Sequence, residues 1–139
     1  MQLGLTATLT TTFDDAVLRT REALSEQGFG VLTEIDVTAT MKQKLDEDIE
    51  KYVILGACNP SLAHRALGVD RQIGLLLPCN VVVRDDTEHP GTVIVEAMNP
   101  DIMVRVTDAA GLRDVADDAA TRLQAAIDAL ENPGAGPGA

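Results

Sequence analysis

A chain of 139 residues has the length of one domain, and folding at this size hides about two-thirds of the unfolded surface, enough for a core without staples. With 45% hydrophobic and 24% charged residues, the composition is that of an ordinary globular protein. Eleven basic residues against 22 acidic ones give a formal charge of −11, which argues against DNA or RNA as a partner.

Residues 1–12 have neither the basic flank nor the apolar stretch of a signal peptide. No apolar run approaches the ~20 residues of a membrane span, so no membrane association is expected. Two cysteines, Cys58 and Cys79, are too few for a disulfide framework, and the reduced cytoplasm is the expected compartment. Phe13, Phe29 and Tyr52 are the only aromatic residues, so the core must be built from Val, Leu, Ile and Ala. The same scarcity removes stacking platforms for single-stranded nucleic acid. Lys42, Lys44 and Lys51 are the only lysines. So acidic a surface suits solubility at high salt, where self-repulsion is screened, and equally suits an acidic cytosolic protein.

Leu3, Leu5, Ala7, Leu9 and Thr11 alternate with Gln2, Thr6, Thr8 and Thr10, the period of a half-buried strand. Thr12 with Asp15 three residues later reads as a capping box, and Phe13, Val17 and Leu24 stripe the helix that follows. Gly28 is a suitable stop. A second strand is expected over 31–37, with Val31, Thr33, Ile35 and Val37 on one face and Glu34 and Asp36 on the other. A short helix over 38–45 and a charged, irregular stretch over 46–51 follow. Tyr52-Val53-Ile54-Leu55 is a continuous apolar run, the pattern of a central strand covered on both faces.

Asn59-Pro60 signals a helix start, with Asn59 as N-cap and Pro60 at the first helical position, and Gly68 should close that helix within about two turns. Residues 73–77 and 80–84 read as strands interrupted by Pro78, which suggests a bulge or an edge. A strand over 92–98 follows a hairpin loop at 85–91, and Pro100 ends the sheet. For the last helix Asp108 is the expected N-cap. Leu112, Val115, Ala116, Ala119, Leu123, Ala126, Ile127 and Leu130 form its apolar stripe. Arg113, Asp114, Asp117, Asp118, Arg122 and Asp128 occupy its wet face. Residues 132–139 contain only Asn, Pro, Gly and Ala, a disordered tail behind a single domain of residues 1–131. The order implies an α+β fold: one mainly antiparallel sheet with long N-terminal and C-terminal helices and short helices between.

One neighbourhood carries chemistry. Gly56-Ala57-Cys58-Asn59-Pro60 places a cysteine just before a helix N-terminus, where free amides and the macrodipole favour a thiolate. Leu77-Pro78-Cys79-Asn80 repeats the Cys-Asn pair after an apolar run, and His64 lies on the helix between them. Cys58 and Cys79 are therefore the catalytic candidates, and Cys58, Asn59, Cys79, Asn80 and His64 the candidate ligand site. The bland reading is two small buried hydrophobes. The spacing is not the C-x-x-C of a zinc or thioredoxin-type site, so neither metal nor cofactor is specified. Glu34 and Asp36 on one strand face are either paired carboxylates or, more simply, a solvated face.

Three blocks in order resemble the "domain of unknown function 302" family. They are Gly28-Phe29-Gly30-Val31-Leu32-Thr33-Glu34-Ile35-Asp36-Val37, Ile54-Leu55-Gly56-Ala57-Cys58-Asn59-Pro60 with Ala63 and Leu67, and Ile73-Gly74-Leu75-Leu76-Leu77-Pro78-Cys79-Asn80-Val81. The resemblance spans about residues 5–106 and weakens at the acidic stretch 46–51. It implies a small bacterial or archaeal cytosolic protein with a β-α-β4-α sheet similar in shape to the TATA-binding protein, assembled as a homodimer and with no established activity. Fold similarity to a DNA-binding protein says nothing of function here. Two functions follow: a homodimeric module binding a small ligand or a partner protein around Cys58 and Cys79, or a thiol-based redox, sulfur-handling or soft-metal protein using the same two sulfurs. A sheet of this kind should also leave an apolar face or edge for a two-fold partner to cover.

Overall fold

The computed structural model describes residues 2–131; the tail expected over 132–139 lies outside them. Five strands, β1 (Gly4–Thr10), β2 (Gly30–Asp36), β3 (Tyr52–Cys58), β4 (Cys79–Asp85) and β5 (Thr92–Met98), form one antiparallel sheet in the order β1-β5-β4-β3-β2. Among the described residues five α-helices accompany them: α1 (Phe13–Glu26), α2 (Val37–Leu45) and α3 (Pro60–Val69) between strands, α4 (Asp101–Thr107) and α5 (Arg113–Glu131) after the last. The α+β class and the β-α-β4-α order of the long elements are as expected.

Side chains alternate across a strand, so the pairing register sorts the sheet into two faces. One row runs Val53, Val83, Val95, Ala7 across four strands, and the next runs Leu55, Val81, Ala97, Leu5. All are buried except half-buried Leu5. Helices α1 and α5 cover this face and pack on each other. The α5 stripe expected from Leu112 to Leu130 is buried at every position, beginning in a 3-10 turn, Ala110–Leu112. On the other face, Ile35, Ile54, Val82, Glu96 and Thr6 form one row, and Tyr52, Arg84, Ile94 and Thr8 the next. None of these nine is buried.

Several local expectations hold in detail. Thr12 Oγ1 accepts from the Asp15 amide at 3.2 Å and caps α1. At its other end Gly28, at φ +84°, turns the chain while the Phe29 amide donates to the Leu24 carbonyl at 2.9 Å. Others are corrected. Residues 71–76 form a 3-10 helix rather than a strand, started by Asp70 Oδ1 accepting from the Gln72 amide. Only Ile73 of that run is buried and Leu75 is 83% exposed, a pattern that matches no sheet face. Pro78 precedes β4 without interrupting it, and β4 is the middle strand, neither bulged nor at an edge. β3 is covered on one face only, since Tyr52 and Ile54 remain half-exposed. Helix α3 runs past Gly68 to Val69. Asp108 does not start α5; it closes α4 in the left-handed region, at φ 54°.

The second strand departs most. Its register shifts between Val31 and Thr33, so Val31 stands beside Ala57 on the covered face while Thr33 and Ile35 turn to the open one. Glu34 and Asp36 consequently face the helices, and each has a structural partner. Glu34 Oε1 takes Arg21 of α1 at 2.7 Å, and Asp36 Oδ1 caps α2 by accepting from the Ala39 amide at 2.9 Å. They are no acid pair.

Gly56 is where this arrangement is tightest. A Cβ there would collide with Thr33 Oγ1 and come within 2.8 Å of the Pro78 ring. Gly56→Ala is therefore expected to lose about 1–3 kcal/mol in urea unfolding, as overpacked sites do, whereas Gly30→Ala, with nothing near its Cβ, should not share that steric loss. Equal losses at both positions would show that Gly56 has no special role.

Candidate functional site

Four segments meet at one end of the sheet. β3 ends at Cys58, and Asn59 then caps α3, its Oδ1 accepting from the Leu62 amide at 3.2 Å with Pro60 next in line. The α1–β2 turn packs against that cap, since a Cβ on Gly28 would lie 2.9 Å from Asn59 Nδ2. β4 begins at Cys79 immediately after Pro78. Arg65 of α3 reaches Asp118 of α5 at 3.0 Å, and Arg122 joins the same carboxylate at 3.0 Å, clamping α3 against the long helix. Arg122 and then Arg65 hold the Asp118 carboxyl below its usual range.

Between these segments lies a cavity of about 30 Å³, room for one or two water-sized groups. Phe29, Ala57, Leu62, Leu77 and Met103 supply apolar wall, and Cys58, Asn59 and Cys79 belong to the lining too. Cys79 is buried and Cys58 half-buried, both as free thiols. In the register Cys79 stands opposite Ala57, so it shares the face beneath the helices. Cys58 is the next residue along and by the pleat belongs to the other face. Both cysteines nevertheless border one cavity.

The remaining expected ligands separate. Asn80 pairs with Gly56 on the open face, is exposed, and lines a different cleft with Tyr52 and Val82. His64 is exposed on α3 and is absent from the cavity wall. The expected activation of Cys58 by the helix end meets competition: Pro60 has no amide hydrogen, the Leu62 amide is held by Asn59 Oδ1, and the Ala63 amide by the Asn59 carbonyl. Among the described residues no three His, Cys, Asp or Glu side chains are grouped to hold a metal ion. No helix among them is long and apolar enough to cross a membrane. Sequence reasoning missed Met103, carried by α4. No local signal marks it: Pro100 begins α4 with no side-chain cap.

Burial, and secondarily the neighbouring Cys58, pushes the Cys79 thiol from an ordinary 9.0 up to about 11. The folded protein therefore keeps this proton where the unfolded chain has lost it. Stability from Cys79 is complete below pH 9 and declines as pH rises toward 11, by about 2–3 kcal/mol in all. Melting temperatures measured across that window should fall more steeply for the native protein than for Cys79→Ala. Parallel alkaline limbs would show Cys79 to be solvated.

No curated protein matches the chain. Among solved structures, the crystal structure of an uncharacterized conserved DUF302 protein from Bacillus stearothermophilus is similar, with 30% sequence identity and a TM-score of 0.85 over 94% of this chain and 99% of that one. The model of the family described as "Domain of unknown function DUF302" matches residues 5–130. With nearly the whole described chain inside that match, from β1 through the last turn of α5, the protein belongs to the DUF302 family.

Proposed function

We propose that this DUF302 protein is a homodimeric binding module that receives a small, soft or uncharged group in the cavity between α3, α5 and the ends of β3 and β4. The observation carrying this reading is an apolar cavity with two free thiols in its lining. A hard charged group would lose its hydration there with little return, whereas polarizable sulfur donors suit a soft one, a soft cation included. The volume admits one or two heavy atoms, so a larger ligand inserts only its tip. Cys79, neutral below pH about 11, offers a polarizable wall and a weak donor. The homodimer rests on the uncovered sheet face.

Silver(I) is a suitable soft probe, and native mass spectrometry of protein purified without a tag reads its binding. One ion per chain is expected, with Cys58 protected from iodoacetamide. Ala63→Leu, which fills the cavity, should abolish the ion and leave Cys58 open to labelling. Equal silver binding by a Cys58→Ser, Cys79→Ser double variant would refute the cavity as the site.

A second reading, thiol redox chemistry at Cys58, is favoured by the difference in exposure: Cys58 meets solvent and Cys79 is closed off. Brief exposure to hydrogen peroxide followed by dimedone should then tag Cys58 and spare Cys79. Absence of any tag would leave the binding reading alone.

A further inference from the structure

We infer that the cavity is a copper(I) site built from three sulfurs, those of Cys58, Cys79 and Met103, with the thioether as the third donor. The inference rests on the cavity of the preceding reading and names both the ion and the side chains that hold it. The first observation is which side chains meet there. The chain has two cysteines and four methionines. Both cysteines and Met103 border the same space of about 30 Å³, although they come from β3, β4 and α4. Met103 is 2% exposed and Cys79 7%, so two of the three are shut in beneath the helices, while half-buried Cys58 meets solvent. Among the described residues nothing hydrogen-bonds the Cys79 thiol, so its lone pairs are open to a group in the cavity.

The rest of the wall decides which ion fits. Its described residues include no imidazole and no carboxylate, and Asn59 already commits Oδ1 to the cap of α3. Soft thiolate and thioether donors select monovalent copper, whereas hard cations need oxygen and a closed zinc site needs four donors. Phe29, Leu62, Leu77 and Val115 keep water from competing for the ion. Coordination strips the proton from each thiol and passes it to solvent, so two protons leave for each ion bound. Two thiolates and a neutral thioether around copper(I) carry one net negative charge, where a third thiolate would carry two. A methionine therefore completes the set at the least cost in so dry a wall. An ion arriving on a small thiolate passes first to Cys58 by ligand exchange, with no change of oxidation state.

Anaerobic titration of the full, untagged chain with copper(I) bicinchoninate tests the inference. The native protein should withdraw one copper(I) per chain from the chelator, and a Cys58→Ser, Cys79→Ser double variant none. Met103→Leu keeps the side-chain volume and removes the donor. Its affinity should fall at least about tenfold, the loss that even outer-shell partners of a metal produce. Met41→Leu, outside the cavity wall, should match the native protein. Should Met103→Leu fail to fold, the native chain with isotope-labelled methionine methyls gives a second reading: copper(I) should shift the Met103 methyl resonance and leave that of Met41 in place. One ion on the native chain with an unmoved Met103 methyl, or with undiminished affinity in Met103→Leu, overturns the three-sulfur site and leaves a cavity of two thiols. Silver(I) taken up without copper(I) overturns the choice of ion and leaves the cavity reading standing. A native chain that takes neither ion overturns both.

Discussion

The antiparallel pairing of β3 with β4 is the constraint from which the rest follows. Its register sets Val53 with Val83, Leu55 with Val81 and Ala57 with Cys79, which joins the buried rows of the sheet. The same pairing sets Ile54 with Val82 and Gly56 with Asn80 on the opposite side. A slip of one residue would exchange the two sets and bury Asn80 and Arg84 beneath the helices. Gly56 guards this register sterically, because Thr33 and Pro78 close over it where any side chain would stand. The core tolerates such close layering because its sheet rows are Val, Leu and Ala with Cys79 at one end, and Phe29 is its buried aromatic ring.

Much of this fold was legible in the sequence wherever one local signal sufficed. Thr12 and Asn59 cap helices because a short oxygen-bearing side chain reaches the first free amides. Gly28 turns the chain because a positive φ has little steric cost there. The α5 stripe repeats over five turns, long enough for its period to be unmistakable. What stayed hidden depends on partners distant in sequence. Ile73, Leu75 and Leu77 alternate as a strand would, but only Ile73 is buried among them, and Asp70 starts a 3-10 turn instead. The shift at Val31 and Thr33 leaves no trace in composition, yet it reverses the facing of every later residue in β2. Asp108 carries the signature of a helix start and serves as a helix end, since an aspartate also tolerates the left-handed region.

The candidate site was half-legible for the same reason. Cys58 next to a capped helix is a local pattern, and it is present. Whether Cys79 and Asn80 converge with it depends on the pleat, which separates adjacent residues to opposite sides of the sheet. Cys79 therefore comes to the cavity and Asn80 goes to the open face. His64 lies far enough around α3 to remain in water. The cavity wall is completed by Met103, Val115 and Ala119 from helices that follow the sheet, residues with nothing in their own neighbourhood to advertise the role.

One strand thus serves two surfaces. Val53, Leu55 and Ala57 hold the core and one wall of the cavity, while Tyr52 and Ile54 look away from them. A partner seated on the open face would press on alternate residues of the strand that ends at Cys58. Close-packed interiors transmit displacement rather than absorb it, so a shift of β3 would reach the cavity through Ala57. Cys58 lies by the pleat on that same open face, so the strand carries both the exposed thiol and the covered wall at Ala57. Any coupling between face and cavity would run through β3, and Gly56, wedged between Thr33 and Pro78, is the point on that strand with least freedom to give.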